Sequence, residues 1–175
     1  MIDPGQSTKT PQFTGPVGDT SLGDGGIPAD AMQNPAMARS LPAGESLLLR
    51  TDFTDDTTWA QTLAAVIASY REDTITGLTP VNDAAFDRLT LDALGELIHD
   101  QTYVFLADAT TMTDPEHPLL AVDTSDESSH GNYPMLRLAP SVMAEVEVNL
   151  FLANTDFADF ADTVDDDGVY RGLNR

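Results

Sequence analysis

Apolar residues fall into a few distinct patterns along this chain, and each pattern predicts an element. Ser46–Arg50 (SLLLR) is a short, continuously apolar run, as expected of a strand buried on both faces. Trp59, Leu63, Val66, Ile67 and Tyr70 then recur at helical spacing, with Asp55 or Asp56 placed to cap the free amides. Ile75 to Val81 alternates like a strand, and Pro80 puts it at a sheet edge or strand end. Thr90 caps a second helix whose stripe is Leu91, Leu94, Leu97 and Ile98, with His99 at the C-terminus, where a cation is favoured. Gln101 to Asp108 is the third and central strand.

Beyond it, Thr110 to Pro118 reads as a loop, and Leu119 to Asp123 and Met135 to Leu138 as two strands forming an antiparallel hairpin with a long connection. Ser141 to Asn154 fits either helix or strand. Glu145 to Val148 alternates, whereas Val142, Val146, Leu150 and Ala153 make a helical stripe, and the start at Pro140-Ser141 favours helix. Asp156 caps a short helix that buries Phe157, Phe160, Ala161 and Val164 and ends by Gly168. Strand and helix alternate through the first three strands, which points to parallel pairing through right-handed crossovers. The expected fold class is α/β: a small mixed sheet with a βαβαβ parallel core and a C-terminal antiparallel hairpin and helices. An extended N-terminal arm precedes it.

That arm, residues 1–44, holds six of the eleven prolines and seven of the twelve glycines and shows no apolar period. Segments such as Phe13–Gly18 and Gly23–Pro28 hold neither helix nor central strand, whereas Ala29 to Ser40 has the makings of a short helix weakened by Pro35, and the plain alternative for the whole arm is a linker. It nevertheless carries Phe13, Val17, Leu22, Ile27, Met32 and Met37 at intervals of a few residues, apolar anchors suited to docking along a partner's surface. Residues 45–175 form one acidic domain on this reading.

Charge changes the picture most. There are 29 Asp and Glu against 8 Lys and Arg, a formal charge of -21, and Lys9 is the only lysine. A field of that sign disfavours nucleic acid and anionic membrane and leaves a protein partner or larger assembly as the expected company. An Asp-rich, lysine-poor chain also matches high-salt solvation or codon bias. With no cysteine there is no disulfide, thiolate nucleophile or thiolate metal site. No signal-like segment and no membrane-length apolar run is apparent, so the expectation is a soluble, cytoplasmic protein.

Candidate chemistry is sparse. Asp52 and Asp108 each follow a predicted strand at its carboxyl end, where open α/β sheets place ligands. On neighbouring strands they would suit Mg²⁺ and a phosphate-processing enzyme, although only Arg50 stands nearby to offset phosphate charge; the alternative is that both cap loops or helix starts. Asp114, Glu116 and His117 share a loop, and His130 lies in a Ser- and Gly-rich stretch. Asp165-Asp166-Asp167-Gly168 resembles part of a calcium loop but lacks its first and twelfth ligands. There is no nucleophile elbow, phosphate loop or zinc-protease helix.

The segments Leu49 to Phe53 with Trp59, Ala107 to Met112 with His117-Pro118, and Asn149 to Phe157 with Asp165 to Gly172 together resemble an uncharacterised bacterial domain family of unknown function. The resemblance spans roughly Ser46 to Gly172. It implies an intact α/β domain and no particular activity or cofactor. The leading expectation is therefore a non-catalytic interaction protein recruited through its arm. A second is an immunity- or antitoxin-like binder whose acidic face, Asp156, Asp159, Asp162, Asp165, Asp166 and Asp167, blocks a basic toxin.

Overall fold

The structure, a computed structural model, describes residues 40–71, 77–126 and 131–173. The docking anchors Phe13, Val17, Leu22, Ile27, Met32 and Met37, together with Ile75 and His130, lie outside the described residues.

Six strands form one sheet: β1 (Ser46–Arg50), β2 (Leu78–Val81), β3 (Tyr103–Ala107), β4 (Leu119–Asp123), β5 (Met135–Leu138) and β6 (Val169–Tyr170), in the order β2-β1-β3-β4-β5-β6. β1 pairs in parallel with both β2 and β3, as the alternation of strand and helix leads one to expect. β3 with β4, and β4 with β5, are antiparallel. The sheet is thus mixed, with the expected parallel core and hairpin. It also gains a sixth strand, parallel to β5, that sequence reading did not anticipate.

The apolar runs are continuous because both faces of the sheet are covered. Leu48 and Phe105 point to one face, with Trp59 and Val66 of α1 (Asp56–Ser69), Met143, Val146 and Leu150 of α4 (Met143–Phe151), and Phe157 and Phe160 of α5 (Phe157–Ala161). Leu47, Leu49, Val104 and Leu106 point to the other, under Leu94 of α2 (Leu91–Gly95) and Tyr133. Leu41 packs on this second core, so the chain is engaged with the domain a few residues ahead of β1.

Helix, rather than strand, is what the 141–154 stretch adopts, over a shorter span: a 3-10 turn at Pro140–Val142 leads into α4, which stops at Phe151, so that Ala153, exposed at φ 52°, falls outside the expected stripe. Two of its acids tie down the flanks. Glu145 accepts a hydrogen bond from the Tyr170 hydroxyl of β6, and buried Glu147 accepts from the Tyr70 hydroxyl and the Gly77 amide, both at 3.3 Å. Burial, together with the Glu145 bond, raises the Tyr170 pKa far above that of free tyrosine.

Three expectations need correction. Thr110 to Pro118 is not all loop, because Ala109–Thr113 forms a short helix, α3. The second helix stops at Gly95, so His99 lies beyond it and does not sit at a helix C-terminus; Leu97 and Ile98 pack from the turns that follow. Ile67 is 61% exposed and stands off the buried side of α1, which carries Thr58, Trp59, Thr62 and Val66.

Candidate functional site

The carboxyl ends of β2, β1 and β3 lie side by side, the position at which open α/β sheets present their chemistry. Arg50, the last residue of β1, dominates it. Although charged, it is only 2% exposed. Its Nε donates to the Asp52 carbonyl at 2.9 Å, and its Nη1 donates to Asn82 Oδ1 at 3.3 Å and pairs with Asp56 at 2.7 Å. The guanidinium carbon lies 4.3 Å from the Phe53 ring centroid and 5.7 Å from that of Trp59, within cation–π range. Nη2 is buried without a hydrogen-bond partner among the described residues. Arg50 thereby clamps the β1–α1 loop to the loop after β2.

Asp52 and Asp108 do follow neighbouring strands, since Arg50 is level with Ala107 and the Thr51 amide donates to the Ala107 carbonyl at 2.9 Å. Each carboxylate is engaged locally. Asp52 accepts from the amide and hydroxyl of Thr54, closing the turn that leads to α1. Asp108 forms a capping box with Thr111 at the start of α3, and Arg137 of β5 grips both its oxygens, at 2.9 and 2.6 Å. Burial raises the Asp108 pKa, but the Arg137 and Thr111 hydrogen bonds outweigh it and hold this carboxyl below its ordinary value. Asp55 is the N-cap of α1, accepting from the amides of Thr57 and Thr58. Among the described residues, no three acidic or histidine side chains are grouped closely enough to hold a metal ion.

The Asp114–His117 loop is likewise built into the fold. Asp114 accepts from the Glu116 amide, and His117 Nδ1 lies 3.1 Å from the Thr111 carbonyl. Glu116 reaches Arg171 instead.

In the acidic segment after α4, Asp156 caps α5 and Asp159 accepts from its amide, whereas Asp162 and Asp166 are exposed. Asp165, Asp167 and Glu116 converge on the single guanidinium of Arg171, at 2.6–2.8 Å. That guanidinium thereby pairs with two of the three consecutive acids in the segment that resembles a calcium loop. Its hydrogen bond, followed by that of the Val169 amide, lowers the Asp167 pKa to about 2. Arg171→Gln is expected to return Asp167 toward the ordinary carboxyl range without unfolding the domain, which a carboxyl NMR titration reads directly. An unmoved Asp167 would show that the backbone, rather than the guanidinium, sets its charge.

Sequence reading left Arg137 out of account. The only signal for it is indirect: an arginine on a strand of a lysine-free domain has to find an acid. Register supplies which one, since Arg137 is opposite Leu120 and Leu120 opposite Leu106, two residues before Asp108.

The model of the family described as Domain of unknown function (DUF6924) matches residues 45–173. The chain belongs to that family. The matched region covers the six strands and five α-helices found among the described residues, including the Arg50 clamp and the ion pairs of Arg171. The DUF6924 assignment fits the expected uncharacterised family and brings no activity with it. No curated protein matches the chain. Among the described residues, no helix of the DUF6924 domain is long and apolar enough to cross a membrane.

Proposed function

We propose that this chain is a non-catalytic interaction protein, an acidic DUF6924 domain recruited into a larger protein assembly through residues 1–44. The observation that supports this reading is the use made of the sheet's carboxyl edge. Arg50, Asp52, Asp108 and Arg137, the residues there that could run chemistry, are each held in a bond that closes a turn, caps a helix or joins strands. The remaining distinctive feature of the chain is the arm with its apolar anchors, a composition suited to ordering on a partner.

The test compares proteins retained from the native host, at matched salt, by the whole chain and by a chain starting at Ser40. The shorter form keeps Leu41, which packs on the domain. Loss of a defined set of proteins at unchanged melting temperature is the expected result. Identical recovery by both forms would sink the reading.

A second reading is favoured by the charge of -21 and by the exposure of Asp162 and Asp166: the domain blocks a basic protein in the manner of an immunity factor or antitoxin. Association would then be fast and would weaken steeply with salt. A complex insensitive to ionic strength would argue against it.

A further inference from the structure

On the side of the sheet that carries α2, a half-open cavity of about 530 Å³ lies between that helix, Thr124 and Tyr133. Its floor and rim differ in character. Tyr133 is 7% exposed, with its ring in the second core among Leu94 and Val122. Its hydroxyl makes no hydrogen bond with a described residue and lies over Gly95, where an added Cβ would come within 2.6 Å of it. The absence of a side chain at Gly95 lets the phenol reach the cavity. The ring is buried while the hydroxyl opens on the cavity, so its bonding capacity is offered to whatever occupies that space.

The rim carries Asp92 and Glu96, four residues apart and therefore on one side of α2 and its continuing turn. Both are exposed, and neither is paired with a described residue, in contrast to Asp108, Asp165 and Asp167. Gly131, at φ 83°, brings its backbone so close to Asp92 that an added Cβ would meet Oδ1 at 2.1 Å. Ile98 supplies an apolar wall.

We propose that this cavity binds an organic ammonium group carried on a short apolar chain. Two carboxylates supply the charge, the Tyr133 hydroxyl accepts an N–H, and Ile98 with the phenol ring covers the hydrocarbon. An anion would meet two like charges. A bare metal ion would find no three acidic or histidine ligands together among the described residues. The site shares no residue with the Arg50 clamp, and the proposal is independent of the arm.

The experiment is an amide NMR titration of the full chain with phenethylamine, with 2-phenylethanol as its neutral counterpart and with a blocked Gly-Lys-Gly peptide. Saturating shifts centred on Gly95, Thr124 and Tyr133 are expected with phenethylamine, the peptide or both, and none with the alcohol. Saturation by phenethylamine identifies a free amine as the ligand class; saturation by the peptide alone identifies a partner's lysine. Glu96→Gln should weaken binding about tenfold, as loss of a charge-assisted contact does, and Tyr133→Phe, which keeps the ring, about threefold or more. Asp159→Asn, away from the cavity, should leave it unchanged. Shifts spread over the whole acidic surface without saturation, equal response to the alcohol, or unaltered affinity in both cavity variants would each overturn the proposal.

Discussion

Arg50→Ala is expected to destabilise the domain by about 3 kcal/mol, the combined effect of charge-assisted hydrogen bonds, cation–π contact and a large cavity, less the desolvation relieved. The ion pair with Asp56 contributes little to that figure, because Asp56 is 90% exposed and free to hydrate. What is lost is the fork itself: Nε on the Asp52 carbonyl, Nη1 on Asn82, and the face against Phe53. Arg50→Met should recover part of the loss by filling the volume without a charge. Arg50→Lys should recover less, because one ammonium cannot reproduce the planar fork. Urea unfolding at constant m-value measures each, and a change below about 1 kcal/mol for alanine would mean that the clamp contributes no more than an ordinary surface residue.

Asp108→Ala should cost about 2–3 kcal/mol, from loss of the α3 cap and of the partner of a partly buried arginine. Asp108→Asn keeps the cap acceptor and should cost roughly half as much. The pH dependence carries a definite sign. The Asp108 pKa is depressed on folding, so its contribution is fully present above the ordinary value of 3.8 and is lost as pH falls through the lower folded value. The intact protein should therefore lose stability on acidification below about pH 4 more steeply than Asp108→Asn does. Parallel acid-unfolding curves for the two would remove Asp108–Arg137 from the account of acid stability.

What the sequence made legible follows from how much signal each element concentrates. SLLLR and YVFLA announce strands because nearly every residue is apolar, as only burial on two faces demands. α1 and α4 have enough turns for a helical period to show, and Asp55, Thr90 and Asp156 act as starts. By contrast α3 has five residues and β6 two, too few for any period, and both owe their conformation to partners distant in sequence. The sequence overstates the length of α2 because Leu97 and Ile98 continue the apolar spacing past Gly95. At the site, Asp52 and Asp108 could be placed at strand ends from sequence alone. Their true partners could not, since Thr54 is a matter of local turn geometry and Arg137 of three-strand register. Tyr133 gave no warning at all: only the packing shows a buried ring with its hydroxyl reaching a cavity.

The placement of β1 bears on how the chain leaves the ribosome. It is the first strand of the sheet to be synthesised, yet it sits between β2 and β3, both made later. Its row of leucines must therefore wait on the nascent chain until Leu78–Val81 emerges to cover one edge and Tyr103–Ala107 the other, and neither edge can be satisfied by a local hairpin. Glu45 on one side and Asp52, Asp55 and Asp56 on the other bracket that interval with negative charge. Like charges flanking an apolar segment oppose its pairing with a second copy, so on a crowded polysome these brackets would work against association of one waiting SLLLR segment with the next.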